Sequence, residues 1–361
     1  MCIQNLVVSR QRGRGVFTAW IFLLPIFFAG ERSLVARDSE SSGEEQGMDW
    51  PNPLLPQHAD PHAMLHSDGY YYFTATRPEY DRIELRRAKT LAGLADAEPK
   101  VVWKKHETGE MGAHIWAPEI HYIDGRWYIY FAAGEAEAVW NIRMYVLENA
   151  SANPLQGEWV EKGKIEMDWE SFTLDATTFQ HRETRYLVWT QNSSDFEGTG
   201  IYIAKMDTPW SIVGGQVCIS RPEYEWEKRG HWVNEAPAAL IRNGKVFVAF
   251  SASATDANYC LGLLTADDDA DLLDPASWSK TPEPVFKSDA TTLQFGPGHN
   301  SFTTSPDGRT DIMLYHARNY ERIEGEPLYN PDRATRAIEL GWNEDGTPFF
   351  GTPPAEDGEP N

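Results

Sequence analysis

Four titratable residues stand at one fixed distance before a turn, and their types suit acid–base chemistry. Each lies eight positions before the start of a turn-plus-strand segment, and they are Asp60, Asp175, Glu235 and His299. Two carboxyl groups that face each other can act as proton donor and proton acceptor in a hydrolysis, and a third carboxylate nearby raises the pKa of the donor. The spacing predicts a shared site if the segments that carry these residues are equivalent in the fold.

The segments that follow these residues belong to a fivefold repeat. DGYYYFTAT, DGRWYIYFAA, ETRYLVWTQ, NGKVFVAFSA and DGRTDIMLYHA begin at residues 68, 124, 183, 243 and 307, which gives a period of about 60 residues. Each reads as a hairpin turn followed by an alternating strand. Helical periodicity is nearly absent, and residues 90–99 fit a single helical turn or a strand connection. A period of this length with short strands predicts an all-β fold, a five-bladed β-propeller.

The equal offsets place the candidate residues on the innermost strand of each blade, where they would converge at one end of the central channel. In the second repeat the same offset falls on Trp116, with Glu119 three residues later. An alternative is that polar residues near turns recur because blades repeat, without any chemistry. Asp60 by itself also suits a turn or capping residue at the start of a strand.

The neighbouring residues suggest roles for the carboxyl groups. Glu235 precedes an apolar run in NEAPAALI, which would desolvate it and favour its neutral form, as a general acid requires. Asp60 and Asp175 would then supply the general base and a group that adjusts the pKa of the acid, in an order that these residues leave open. Carboxyl groups on different blades favour the wide separation of roughly 6.5–9.5 Å that an inverting glycosidase uses.

Further candidates for the site have equally plausible structural roles. His299, in FGPGHNSF, suits either a hydrogen-bonded structural histidine or a metal ligand at the channel centre. Trp116 and Trp232 suit either the core or sugar-stacking platforms, and Glu119 is grouped with them as substrate-binding. Arg336, in RATRAIELGW, suits a substrate clamp or a solvated residue of an edge strand.

Composition excludes some partners and permits others. The 361 residues include 54 acidic and 32 basic side chains, a net charge of −22, so no nucleic-acid partner is expected. Aromatic residues make up 12% of the chain, which suits a β-rich core or a sugar-binding surface. Cys218 and Cys260 could pair in an exported protein, although a domain of this size does not need a disulfide.

The start of the chain has the pattern of an export signal. Arg10, Arg12 and Arg14 precede an apolar run at residues 16–30, which is short for a membrane span. We therefore expect a signal peptide at residues 1–36, an acidic linker at 37–50, the propeller at 51–354 and a disordered tail at 355–361. The expected location is secreted or periplasmic; an uncleaved anchor is the alternative, because a clean cleavage site is missing.

Six motifs together resemble glycoside hydrolase family 43, from about residue 52 to residue 353. They are NPLLPQHADPHAML, HIWAPEIHYIDGRWYIYFAA, LDATTF, NEAPAALIRNGKVFVAFSA, GPGHNSF and ELGWNEDGTPFFGTP. The resemblance implies a five-bladed propeller and an inverting mechanism, with Asp60 as general base, Asp175 as pKa modulator and Glu235 as general acid. It implies no cofactor for the chemistry and a structural calcium ion or water cluster near His299. Two departures, Glu-Ala-Pro for Glu-Gly-Pro and Leu-Asp-Ala for Ile-Asp-Pro, keep the carboxyl groups.

The stretch at residues 70–99 resembles exo-acting α-1,5-L-arabinofuranosidases. This implies an enzyme that releases L-arabinose from arabinan or another arabinose-containing polysaccharide, as a monomer and with no membrane contact once processed. Within the family, a β-D-xylosidase or galactosidase is the alternative; outside it, a carbohydrate-binding propeller without catalysis. A retaining fructan- or sucrose-processing enzyme is disfavoured, since Ala59 precedes Asp60 and no Arg-Asp-Pro occurs.

Overall fold

Each of the five repeats forms an antiparallel sheet, and the five sheets are the blades of a propeller. The structure is a computed structural model that describes residues 50–357. The prediction of an all-β five-bladed β-propeller is confirmed. The expected signal peptide, nearly all of the acidic linker and the last four residues of the chain lie outside the described residues.

The blades are built in chain order, and the innermost strand of each blade is the one that precedes the hairpin turn of its repeat. The first two blades contain β1 (Ala59–Leu65), β2 (Tyr71–Thr76), β3 (Arg82–Ala88), β4 (Lys100–Lys104), β5 (Ala113–Ile123), β6 (Arg126–Gly134), β7 (Arg143–Asn149) and β8 (Val160–Lys164). A single helical turn, α1 (Gly93–Asp96), connects β3 to β4. The helical reading of residues 90–99 therefore holds for four residues of a strand connection.

The remaining blades follow the same plan. They contain β9 (Thr173–His181), β10 (Thr184–Asn192), β11 (Thr199–Thr208), β12 (Ser211–Ser220), β13 (Asn234–Arg242), β14 (Lys245–Ala252), β15 (Cys260–Asp267), β16 (Ser279–Lys280), β17 (Phe295–Thr304), β18 (Asp311–Arg318) and β19 (Ala334–Glu339). Short 3-10 helices lie in the connections, at Glu225–Glu227, Pro275–Ser277 and Pro327–Tyr329. A small hairpin of β20 (Gly341–Trp342) and β21 (Pro348–Phe349) follows the last blade.

Five apolar clusters fill the five gaps between neighbouring blades. The middle strands have both faces buried for this reason, and β6 is buried at every position after its first. Ile83 of the first blade and Ile129 of the second pack in one such cluster, and Trp189 of the third packs with Tyr130 of the second in another. Much of the high aromatic content therefore belongs to the core.

A β-bulge interrupts each innermost strand near its start. One residue at each bulge has a positive φ of 45–57°, and these residues are Asp60, Ala117, Asp175, Ala236 and His299. Aspartate tolerates this left-handed conformation better than most residues, and a bulge re-aims the side chains beside it. The bulges thus determine which side chains of the inner strands point toward the channel mouth.

Both ends of the described chain meet in the fifth blade, which has three strands of its own. The backbone N–H of Leu54 donates to Thr335 O of β19 at 2.9 Å, and Thr335 N–H donates to Leu55 O at 2.8 Å. Asn52 accepts a hydrogen bond from Arg336 at 2.9 Å through its side-chain oxygen, while its backbone N–H donates to Asp357 at 2.7 Å. The start of the chain therefore lies along the outer strand of the last blade and closes the ring.

Cys218 is partly exposed and Cys260 is buried, and both are free thiols. The disulfide that the sequence allowed is therefore not formed. Among residues 50–357, no helix is long and apolar enough to cross a membrane.

Candidate active site

A cavity of about 510 Å³ opens among the first residues of the inner strands. Five of the residues that the sequence singled out line it, one from each blade: Asp60, Trp116, Asp175, Glu235 and His299. Asp60, Asp175 and His299 have the positive φ of the bulge themselves. Trp116 and Glu235 each come one residue before the bulge residue with positive φ, which is Ala117 or Ala236. The count of eight gave all of them the same offset because it began at Glu183, the second residue of its turn, for Asp175, but at the first turn residue for Trp116 and Glu235.

Asp60 is buried among positively charged and polar groups. Its Oδ1 atom lies 3.2 Å from Nδ1 of His299, 3.2 Å from Nδ1 of His316 and 3.4 Å from Nη1 of Arg333. Burial disfavours a charge here, but His299 and Arg333 outweigh burial and hold the pKa of Asp60 well below its usual range. This group is therefore a carboxylate at every physiological pH, as a general base must be.

Glu235 has the opposite character. Its Oε1 atom accepts a hydrogen bond of 2.7 Å from the hydroxyl of Tyr259. Burial raises the pKa of Glu235 to about 7, and the charge of Asp60 adds to this while the Tyr259 hydroxyl opposes it. A carboxyl group with this pKa carries a proton in a large fraction of molecules at neutral pH and can donate it.

Asp175 is tied to the residue that follows Glu235. Its Oδ2 atom accepts a hydrogen bond of 3.0 Å from the backbone N–H of Ala236. Burial and the neighbouring Glu235 carboxyl raise the pKa of Asp175 well above its usual range. Because two acidic groups so close cannot both ionise cheaply, Asp175 and Glu235 together retain a proton.

Aromatic and aliphatic side chains form much of the rest of the wall. Trp116 is buried and stacks on His114, with ring centroids 4.3 Å apart and an angle of 19° between the rings. The sequence reading missed several members of this wall, which are Trp140, Phe172, Leu174, Leu328 and Tyr329. They lie in connections or at a strand start, where the repeat gives no positional signal. The 55% exposure of Trp140 suits a surface that meets a ligand.

Arg333, which the sequence reading passed over, lines the cavity, whereas Arg336 does not. The Nη2 atom of Arg333 donates to the Tyr80 hydroxyl at 3.2 Å, and its Nη1 atom faces Asp60. Arg336 is buried in the ring closure against Asn52 and Glu356. The two arginines are three positions apart, and side chains at odd spacing point to opposite faces of an extended strand. The stretch RATRAIEL contains both, so composition could not choose between them.

Trp232 and Glu119 also lie outside this cavity. The Trp232 side chain is 40% exposed and its ring lies under the Lys228 ammonium, 4.7 Å away, although its neighbours His231 and Val233 line the cavity. Glu119 lines a different cavity, of about 320 Å³, formed by the later residues of the inner strands. Its predicted grouping with the substrate-binding residues therefore receives no geometric support.

Glu119 belongs to a cluster with His62 and His121 whose potential ligand atoms lie within 4.8 Å of one another. Two imidazoles and one carboxylate suit a transition metal better than calcium. However, Nδ1 of His62 accepts a hydrogen bond from the backbone N–H of Ile120 at 3.3 Å, so the imidazole proton lies on Nε2, which faces Glu119 at 3.7 Å. In this tautomer Nε2 of His62 could bind a metal only after losing its proton, while Nε2 of His121 lies 2.9 Å from Oε2 of Glu119.

The surroundings of His299 offer little to a calcium ion. Calcium takes six to eight oxygen ligands. His299 contributes nitrogen, and its Nδ1 atom already faces Asp60. Among the described residues, the cluster that could hold a metal does not include His299. An ion here would need water for most of its ligands.

Comparison with known proteins identifies close relatives. The sequence model of Glycosyl hydrolases family 43 matches residues 50–348. An extracellular exo-α-(1→5)-L-arabinofuranosidase of Streptomyces avermitilis is 58% identical over 306 residues, which are 84% of this chain and 64% of that protein. An α-L-arabinofuranosidase 43 of Humicola insolens is 54% identical over 84% of this chain and 63% of its own length.

A crystal structure of an α-L-arabinofuranosidase from Lactobacillus brevis has the same fold. It is 50% identical, with a TM-score of 0.83 over 86% of this chain and 99% of that one. This chain spans less than two thirds of the length of the Streptomyces avermitilis and Humicola insolens proteins.

Proposed function

Since the chain belongs to glycosyl hydrolases family 43, as its motifs suggested, we propose that it hydrolyses glycosidic bonds with the carboxyl groups of Asp60, Asp175 and Glu235. One observation carries this proposal. A single cavity contains Asp60, whose pKa is held well below its usual range, and Glu235, whose pKa is raised to about 7. Opposite environments for two carboxyl groups are what divides the roles of acid and base in such enzymes.

The proposed reaction is a direct displacement by water. Glu235 donates its proton to the glycosidic oxygen as the bond from that oxygen to the anomeric carbon breaks. Asp60 accepts a proton from a water molecule, whose oxygen attacks the anomeric carbon from the opposite face and inverts its configuration. Asp175, as pKa modulator, keeps the proton on Glu235 until the leaving oxygen takes it. Arg333 and His299 hold Asp60 ionised and in place.

The proposed substrate is an α-L-arabinofuranoside at the end of a chain, released as L-arabinose from arabinan or an arabinose-substituted polysaccharide. The names and the identities of the relatives support this choice. Leu328 and Tyr329 of the 3-10 helix Pro327–Tyr329 wall the cavity, and the Tyr329 hydroxyl lies 3.3 Å from Nε2 of His114 in the second blade. A contact that bridges two blades closes one side of the cavity, which suits attack on chain ends.

All three acting groups are side chains of this chain, so the proposed chemistry requires no cofactor. A structural calcium ion near His299 remains a prediction, and so does a monomeric state. The relatives named as extracellular support secretion, together with the export pattern at the start of the sequence.

The test is a panel of aryl glycosides, α-L-arabinofuranoside, β-D-xyloside and β-D-galactoside, beside debranched linear arabinan. We expect arabinose from the arabinofuranoside and from arabinan, with no oligosaccharides at early times. Release of xylose or galactose would instead identify a β-D-xyloside or a β-D-galactoside as the substrate, which is the alternative within the family. Binding of arabinan without hydrolysis of any substrate would refute the proposal in favour of a carbohydrate-binding propeller.

A further inference from the structure

A groove of about 620 Å³ lies on the flank of the propeller, between the outer strands of the third and fourth blades. It is separate from the catalytic cavity, with which it shares no lining residue. We call it the flank groove and define it by Trp169, Phe196, Tyr202, Gln216, Tyr224 and Trp278. Five of the sixteen residues that line the groove are aromatic.

Trp169 presents a fixed ring to solvent. Its side chain is 39% exposed, its Nε1 atom donates to Asn192 O at 3.4 Å, and Tyr202 packs against it edge-on with centroids 5.6 Å apart. Trp278 is held on the other side of the groove by its Nε1 donating to Leu272 O at 3.0 Å. Immobilised indoles bind the apolar face of a flat ligand at little entropic cost.

The cations around the flank groove are already paired. Lys280 donates to Glu227 at 2.8 Å and lies 3.8 Å from Glu223, and Arg221 lies 3.6 Å from Glu223. A phosphate or an acidic peptide would have to compete with these carboxylates for each cation. A neutral ligand that is rich in hydroxyl groups can form hydrogen bonds with the charged and amide side chains of the groove without displacing these carboxylates.

One short segment walls both the flank groove and the catalytic cavity. Trp169 faces the groove and Phe172 faces the cavity. The segment is fixed to Asn192, whose backbone N–H donates to Phe172 O at 3.0 Å and whose carbonyl accepts from Ser171 Oγ at 3.0 Å. The two sites are therefore neighbours on one rigid wall.

We propose that the flank groove is a second carbohydrate-binding site, which holds a stretch of the polysaccharide whose ends are cleaved in the catalytic cavity. Fixed aromatic rings and paired cations favour a neutral glycan, and the shared wall places it beside the catalytic cavity. The identity of that glycan as an arabinan rests on the proposed function, whereas the presence of a second site does not.

The test separates polymer binding from catalysis. Trp169→Ala and Trp278→Ala are compared with Phe349→Ala, which removes an exposed aromatic side chain of β21 far from the groove in sequence. Retardation in gels that contain linear arabinan should weaken about 2- to 10-fold in both groove variants and stay unchanged in the control. Turnover of the aryl α-L-arabinofuranoside should be unchanged in all three.

Cys218 offers a local readout because it lines the flank groove, while Cys260 is buried elsewhere. In the Glu235→Gln protein, linear arabino-oligosaccharides should slow alkylation of Cys218 at alkaline pH, and Trp278→Ala should abolish that protection. Wild-type retardation in both groove variants, or alkylation of Cys218 at the same rate with and without the oligosaccharide, would overturn the proposal. An enzyme that is inactive on the aryl arabinofuranoside would refute the proposed function and leave these two binding readouts to decide on the groove.

Discussion

The hydroxyl of Tyr259 donates a hydrogen bond of 2.7 Å to Oε1 of Glu235, and this contact opposes the burial that raises the pKa of Glu235. The ring of Tyr259 lies parallel to that of His316, with centroids 5.6 Å apart, and His316 in turn contacts Asp60. One tyrosine therefore touches the acid and, through His316, the surroundings of the base. Its hydroxyl favours the ionised form of Glu235, because a hydrogen bond to a carboxylate stabilises the charge.

The first prediction concerns the pH dependence of hydrolysis. Glu235 must be protonated to act as acid, so kcat/KM of the wild-type enzyme should fall as the pH rises through about 7. Tyr259→Phe removes the hydroxyl and keeps the ring, which raises the pKa of Glu235 and should move the alkaline limb to higher pH. The profile is measured with an aryl α-L-arabinofuranoside. An alkaline limb that moves to lower pH in Tyr259→Phe would show that another group is the acid.

The second prediction uses substitutions that respect the backbone. Asp60 and Asp175 have positive φ, which asparagine adopts more readily than alanine, so Asp60→Asn and Asp175→Asn should fold like the wild type. Each of these two single variants, and the single variant Glu235→Gln, should lower kcat by about 10²- to 10⁴-fold, the usual contribution of an acid or base. Circular dichroism and thermal unfolding confirm the fold. Turnover within tenfold of wild type in any of the three would contradict the role assigned to that residue.

The third prediction compares two arginines of similar burial. Arg333→Met removes a charge that holds Asp60 ionised, so the pKa of Asp60 should rise and the acidic limb of the pH profile should move to higher pH. Arg336→Met removes the hydrogen bond to Oδ1 of Asn52, which leaves that buried oxygen unpaired and should cost about 1–3 kcal/mol in the free energy of unfolding.

Kinetics and denaturant unfolding of both variants distinguish the two cases. Arg336→Met should keep the wild-type KM and pH profile per folded molecule. A raised KM with unchanged stability would instead return Arg336 to the role of substrate clamp.

The fourth prediction concerns metal ions. Because the proposed acid, base and modulator are all side chains, prolonged dialysis against a chelator should leave the initial rate on the aryl substrate at 25 °C unchanged. A calcium ion near His299 would show as a fall in the melting temperature that calcium restores, with one equivalent of calcium in the untreated protein by elemental analysis. Loss of turnover that calcium restores, at a temperature where the protein stays folded, would mean that the chemistry itself needs the ion.

The repeat predicted the fold because hairpin turns are local signals. Asp124-Gly125 and Asn243-Gly244 are two-residue turns that any reading of the sequence detects, and they mark two of the five blades. Counting back from the turn of each repeat brought Asp60, Asp175 and Glu235 together as candidates, although the bulge positions that aim them appear only in the structure.

Other parts of the site depend on contacts between distant residues. Whether Arg333 or Arg336 faces the cavity depends on the phase of β19 relative to the channel, and each arginine is followed by an alanine in the sequence. Trp140 and Tyr329 come from connections whose course is set by packing across blades, so spacing carries no information about them. Glu119 and His299 look alike in the sequence as polar residues of inner strands, yet only His299 lines the catalytic cavity.

The closure of the ring implies an order of events in folding. Asn52 is bonded to Arg336 and to Asp357, residues 284 and 305 positions away. These contacts cannot form until almost the entire domain is available, and such non-local pairing slows folding. Until the ring closes, β19 of the fifth blade lacks its backbone hydrogen bonds with Leu54 and Leu55. The catalytic cavity takes Asp60 from the first blade and Arg333 from the last, so it is complete only once these two blades meet.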